Sequence, residues 1–318
     1  MRDSLHIALR PWLVSLGLAV LLLFPLAALS VDQPFYIVLA TRMLVFALAA
    51  SSLNLLIGYG GMVSFGHAAF VGAGAYATAV LLRAGIESAW LAWPLAALAG
   101  GVLAFLIGAV SLRTHGVYFI MITLAFAQMA YYVIVSLKAL GSDDGLGLPQ
   151  RPAFGFGLDP RGDATFYYVV LVVAVLCLAA FRRLLNARLG RALQGVRDNE
   201  QRMEALGFPT FRLKIAWFVI AGAAAGLAGA MMASLNGHVG PSLLHWTQSG
   251  MLMIMVILGG AGRLLGGALG AVLLLALEEA LSEYTIHWQL GVGLVLLAVV
   301  LFAPNGLSTL LRRGRAGG

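Results

Sequence analysis

Charge is what this chain most lacks. Asp, Glu, Lys and Arg make up 10% of its 318 residues, and hydrophobic residues make up 61%. Soluble domains carry about 25% charged residues, and a water-soluble fold of this composition would expose large apolar patches. A bilayer removes that difficulty. Cysteine is nearly absent too. Cys177 stands alone in an apolar run, which excludes an internal disulfide and a cysteine-based metal site. Lysine occurs twice, at Lys138 and Lys214, and neither follows a glycine. A P-loop needs Gly-Lys-Ser or Gly-Lys-Thr because that lysine holds the phosphates. The glycine-rich stretch 259–270 (GGAGRLLGGALG) is therefore not a nucleotide site, and any ATP that drives this protein is hydrolysed by another subunit.

Deep acidic groups are missing as well. Of the thirteen acids, nearly all fall between apolar runs, and Glu278, Glu279 and Glu283 gather near one end of a run. Transporters coupled to protons or sodium need ionisable groups deep in the membrane, so this pattern argues against a secondary transporter or channel. Arg42 lies inside an apolar run, where it either snorkels to the surface or pairs within the bundle. His6, His67, His115, His238, His245 and His287 are scattered, and neither HExxH nor GxSxG occurs. An intramembrane enzyme has no support. No cofactor or metal site is expected in this chain.

What the chain does have is long apolar runs. A membrane helix needs roughly 20 apolar residues, and ten candidates emerge: 12–30, 35–57, 63–82, 90–112, 117–137, 165–181, 214–235, 246–258, 263–283 and 286–303. The first exceeds the roughly 7–15 apolar residues of a cleaved leader and reads as a span. The eighth is short, as in a broken or partly inserted helix. The expected fold is an all-α, polytopic membrane protein forming one domain over 1–318.

The basic residues orient it. With the N-terminus inside, fifteen of the twenty Lys and Arg fall in inside segments, as the positive-inside rule requires. Both termini are expected in the cytoplasm. The net charge of +7 reflects topology rather than nucleic-acid binding. The longest outside loop, 138–164, is rich in Gly and Pro and hence in turns; the longest inside loop is 182–213.

That inside loop carries more than positive charge. Asp198 can cap a short helix, with Gln201 three positions on as in a capping box. The helix would run to about Leu206, Gly207 would take the left-handed position after it, and Pro209 would stop it. A punctuated helix between two spans points to a docking element.

Glycines break the apolar pattern at 57–76 (IGYGGMVSFGHAAFVGAGAY). Gly72 and Gly74 suit close helix packing. A backbone break at 58–61 could face a translocation path, where membrane proteins tolerate irregular backbone; Asn54, Gly58, Tyr59, Gly61 and Ser64 are the candidate path residues. His67 is expected to be a hydrogen-bonded packing residue. Gly222 and Gly226, four apart, mark a helix contact. Residues 60–64 follow one span inside and 239–242 follow another outside, each before an apolar run, as in the inverted repeats of transporters.

Several stretches, in order, resemble the permease subunits of branched-chain amino-acid ABC importers. Residues 52–61 (SLNLLIGYGG) and 64–70 (SFGHAAF) are similar to that family's LNLxxGYxGxxSxGHAAF pattern. Tyr118-Phe119 with 123–126 (TLAF), Gly190-Arg191 with 196–200 (VRDNE), 226–229 (GLAG), 259–262 (GGAG) and 303–307 (APNGL) follow. The likeness covers roughly 35–312, and the length and long outer loop resemble the family's M-type permease more than its shorter H-type. Thr114-His115 departs from many members. The resemblance implies a bacterial plasma-membrane importer with two paralogous permeases, two cytoplasmic ATPases and an extracytoplasmic substrate-binding protein. Arg197, Asp198, Asn199, Glu200 and Gly207 would form the ATPase-coupling element. The solute would be a branched-chain or related amino acid, or, in some members, urea, amides or another small solute.

Overall fold

The computed structural model describes residues 17, 19–26, 33–155, 162–284 and 286–302. Most of the first predicted span, Arg2, Arg10, the basic C-terminal residues and the 303–307 motif lie outside them.

Among the described residues the fold is helical. The long elements are α1 (Pro34–Asn54), α2 (His67–Arg83), α3 (Ala89–Ser111), α4 (Val117–Ser136), α5 (Asp163–Asn186), α6 (Arg188–Asp198), α7 (Glu200–Ala205), α8 (Thr210–Asn236), α9 (Trp246–Gly259), α10 (Gly266–Tyr284) and α11 (Trp288–Phe302). Each predicted span from 35 to 303 coincides with one of them. Five helices, counting α1 with the turn after it, are long and apolar enough to cross a membrane. The eighth span is short, as expected: α9 has 14 residues, or about 21 Å at 1.5 Å per residue, against a hydrocarbon core of about 30 Å.

The helices fall into two exchanged halves. After α1 the chain enters α2 and α3, yet these two pack chiefly on α8. After α8 it enters α9 and α10, and these pack on α1. The fourth helices follow the same rule, with α4 beside α2 and α3, and α11 beside α9 and α10. α1 and α8 also touch each other at the centre. The correspondence suggested by residues 60–64 and 239–242 thus extends over four helices per half. α5 lies against α1, and residues 21 and 22 accept hydrogen bonds from its Tyr167 (2.8 Å) and Tyr168 (3.1 Å) hydroxyls.

Small residues make the central contact. Gly222 and Gly226 of α8 face Gly100 of α3, and Gly226 also faces Gly74 of α2, so closely that an added Cβ would run into the opposite backbone. Without a hydrophobic drive between helices in lipid, such close approach maximises dispersion contact. Around it lie Phe70, Phe218 and Phe119, with Phe70 and Phe119 each meeting the Phe218 ring edge-on. α4 is the opposite case: only Phe119, Thr123 and Ala127, one stripe at i, i+4, i+8, are buried.

The α8–α9 connection is tied down by backbone. β1 (Leu146–Gly147), from the turn-rich loop after α4, pairs antiparallel with β2 (His238–Val239), and Leu148 N–H donates to Gly237 C=O at 2.9 Å. Leu146 and Val239 are buried with Leu244, Ala75, Tyr76, Ala79 and Ala233. The same loop also reaches α3 and α5. Ala153 exchanges hydrogen bonds with Glu87 and Ala89, Trp90 Nε1 donates to Phe154 C=O at 2.7 Å, and Arg151 pairs with Asp163 at 2.7 Å over the Phe166 ring. Arg42 is partly exposed and lies 3.9 Å from Glu278 of α10.

Candidate functional site

The site lies at the opposite end from β1–β2, where the 182–213 segment meets the end of α1. That segment is more helical than expected. One short helix starting after Asp198 was anticipated; instead there are two. Ala187 adopts an extended conformation (ψ 172°) that ends α5 and starts α6. Gly190, Leu193 and Val196 bury one face of α6, while Arg188 and Arg191 lie on its exposed face. Trp217 Nε1 of α8 donates to Leu189 C=O at 3.4 Å.

The cap is one residue later than predicted. Asp198 is the last residue of α6, and Asn199 (φ −162°, ψ 102°) is the extended N-cap of α7. Its Oδ1 accepts from Arg202 N–H at 2.8 Å. Asp and Asn cap about equally well, so the pair Asp198-Asn199 left the position open. The shift replaces Gln201 by Arg202 at the third helical position, and arginine has no acceptor with which to complete a capping box. The end of α7 is as expected: Gly207 is left-handed (φ 81°), and its N–H reaches Glu204 C=O at 2.8 Å. Glu204 Oε1 in turn accepts from the Thr210 hydroxyl at 2.8 Å, fixing α7 to the start of α8.

Two of the candidate coupling residues, Glu200 and Arg197, bond to the bundle. Lys214 of α8 is 6% exposed, and its ammonium donates to Glu200 Oε1 at 2.5 Å. A buried ammonium needs a paired carboxylate. The other Glu200 oxygen lies 3.4 Å from His115 Nε2, in the α3–α4 connection. Arg197 leaves the other side of the same hinge, and its Nη1 donates to Gly58 C=O. Asp198, Asn199, Gln201 and Arg202 are exposed. Sequence reading assigned no role to Lys214 or His115; a lone lysine fourteen residues after a glutamate carries no pattern.

The partner of Arg197 is the predicted break. Residues Leu55–Tyr59 widen α1 into a π-turn, closed by Met62 N–H on Leu56 C=O at 2.9 Å. The wider turn leaves Gly58 C=O for the guanidinium. Gly61 is left-handed (φ 67°) and lies under the Arg197 stem. Asn54, 1% exposed, spends both ends of its amide on the α9–α10 loop: Nδ2 donates to Arg263 C=O at 2.6 Å, and Oδ1 accepts from Gly262 N–H at 3.0 Å. Gly58 touches Gly262 so closely that no side chain fits between them. Residues 58–61, 262–263 and 197 therefore form one joint. An open recess of about 500 Å³ beside it is lined by Gly61, Thr114, His115, Arg197, Asn199 and Glu200, among others.

The remaining candidate path residues lie next to this joint. Tyr59 is the last residue of the π-turn and is half-buried. Ser64 is fully buried and accepts from Gly66 N–H at 3.1 Å. The start of α2 is then capped by other helices: Phe65 N–H donates to Thr123 Oγ1 of α4 at 3.2 Å, and Ala68 N–H donates to Ser249 Oγ of α9 at 2.8 Å. These are donors that a helix start leaves unpaired. His67 is the packing residue expected. It is buried, edge-on to Phe70, and 2.8 Å from Ser52 Oγ. The Ser52 proton goes to Ala49 C=O at 2.7 Å, so His67 donates from Nε2.

A bundle of apolar helices interrupted by a π-turn and short breaks, with an amphipathic helix and a short capped one at one end, defines a multi-pass membrane permease. The sequence comparisons specify which. Residues 35–303 match the family described as the permease component of the branched-chain amino acid transport system, and the chain belongs to that family. It is a transport permease subunit of an ABC importer. The high-affinity branched-chain amino acid transport system permease protein LivM of Salmonella typhimurium is 28% identical over 92% of this chain and 75% of its own length. LivM of Escherichia coli is 29% identical over the same shares. The LivH permease protein of Salmonella typhimurium is 26% identical over 82% of this chain and 90% of its own. No solved structure matches the chain at a significant level.

Proposed function

We propose that this chain forms one half of the channel of an ATP-driven importer for branched-chain or related amino acids. The α6–α7 pair docks on a cytoplasmic ATPase. The observation that carries the docking role is a division of labour over four consecutive residues: Arg197 and Glu200 hold the pair to the bundle, while Asp198 and Asn199 face out. An element built only to carry topogenic charge has no need of such anchoring. The basic α6–α7 end is cytoplasmic by the positive-inside rule, which puts both termini there and puts β1–β2 on the side where a substrate-binding protein delivers the solute. A paralogous permease completes the channel, two ATPase subunits hydrolyse the ATP, and this chain itself catalyses nothing. The protein lies in the bacterial plasma membrane.

Labelled leucine uptake, in a strain lacking the gene and in the same strain with it restored, tests the reading. Energy-dependent uptake that is lost and regained is expected. Unchanged uptake in a strain with no second leucine importer would overturn the amino-acid assignment, and urea would be the next label.

A further inference from the structure

The RDNE segment is not a single docking surface. Arg197 is exposed, yet its guanidinium reaches back to the end of α1 and caps Gly58 C=O. Helix ends leave carbonyls unpaired and carry partial negative charge, so a cation placed there is held by both effects. Gly58 is in turn in contact with Gly262, and Asn54 grips the backbone on either side of the 262–263 peptide. The three parties come from different parts of the architecture. Gly58 ends the long helix of the first half, Gly262 lies in the α9–α10 loop of the second half, and Arg197 belongs to the connection between halves. No other described contact joins all three.

We propose that Arg197 is a positioning residue for transport: it passes movement of α6–α7 to both halves of the bundle at once through the Gly58–Gly262 joint. This rests on the reading that α6–α7 docks on the ATPase. In that frame Arg197 serves coupling rather than docking. Asn54 is the second limb of the same device, and it is itself 1% exposed.

The test uses the complete importer, purified and reconstituted in vesicles with its ATPase and binding-protein partners. Three quantities are read for each variant: co-purification of the ATPase, ATP hydrolysis, and labelled leucine moved per ATP. Arg197→Ala and Asn54→Ala should keep the ATPase bound and hydrolysing, while leucine moved per ATP falls about tenfold, a coupling loss of ordinary size. Arg197→Lys, which keeps a donor but not the planar fork, should recover part of the loss. It also carries the test if Arg197→Ala does not assemble. Loss of the ATPase from Arg197 variants would make Arg197 a docking residue and overturn the proposal, as would an unchanged ratio of leucine to ATP. Gln201→Arg, on the exposed face, checks the underlying reading separately: it should weaken co-purification. If it does not, the docking assignment fails whatever Arg197 does.

Discussion

The two chain breaks of this molecule are held in different ways. The break after α8 is held by backbone: β1 and β2 form a short ladder, and Leu146 and Val239 seal it with apolar contact. The break after α1 is held by side chains, with Arg197 on Gly58, Asn54 on the 262–263 peptide, and Glu200 on Lys214 beside them. A ladder backed by packed side chains has one arrangement, because close-packed interiors do not deform continuously. The exposed Arg197 guanidinium can exchange its hydrogen bond for others at a small net cost, whereas Glu200 is committed to the buried Lys214 and the buried Asn54 to the 262–263 peptide. The comparison teaches that the end bearing α6–α7 rests on bonds that side chains make across elements, and that the β1–β2 end rests on backbone pairing.

Three substitutions would break or sharpen that contrast. The largest effect is expected at Glu200. Glu200→Ala leaves the buried Lys214 ammonium without its partner, which costs about 3–5 kcal/mol. Melting in detergent should show it, and Glu200→Leu with Lys214→Met should recover most of the stability. A transport defect in a single Glu200 variant would therefore report folding as much as coupling; a Glu200→Lys variant, which sets two ammonium groups against each other, is worse still. Next comes the β1–β2 end. Leu146 is 2% exposed, and Leu146→Ala should cost about 2–5 kcal/mol. Protein that survives should move as much leucine per ATP as the wild type, and a lowered ratio would mean that this end also serves coupling. The smallest effect is at the α7 cap. Asn199→Ala should cost about 1 kcal/mol, read as roughly fivefold faster amide exchange across 200–205, with the melting of the whole bundle little changed.

How far the sequence discloses all this depends on the range of the interaction. Apolar runs are local, and nine of them lead directly to helices. The Gly222–Gly226 stripe is local too, and it lies where close packing was expected. Asn54, Gly58, Gly61 and Arg197 each stand out singly, through a polar group in an apolar run, a glycine pair or a motif. Their meeting does not, because Asn54 and Arg263 are 209 residues apart and no spacing rule reaches that far. α6 was missed because its arginines hide a three-residue apolar face, and because Ala187 ends α5 without a glycine or proline to mark the break. The cap was misplaced by one because Asp and Asn stand side by side.

The exchange of helices between halves also sets a timetable. One face of α1 is covered by α10, which ends roughly 230 residues later in the chain. At about 5–20 residues per second of synthesis, that face waits on the order of 10–50 s for its cover. During that interval Asn54, whose amide is destined for a peptide not yet made, has no native partner in the nascent chain. The first half must therefore persist in the membrane as an unfinished surface, and its survival depends on how well lipid or the insertion machinery shelters that amide.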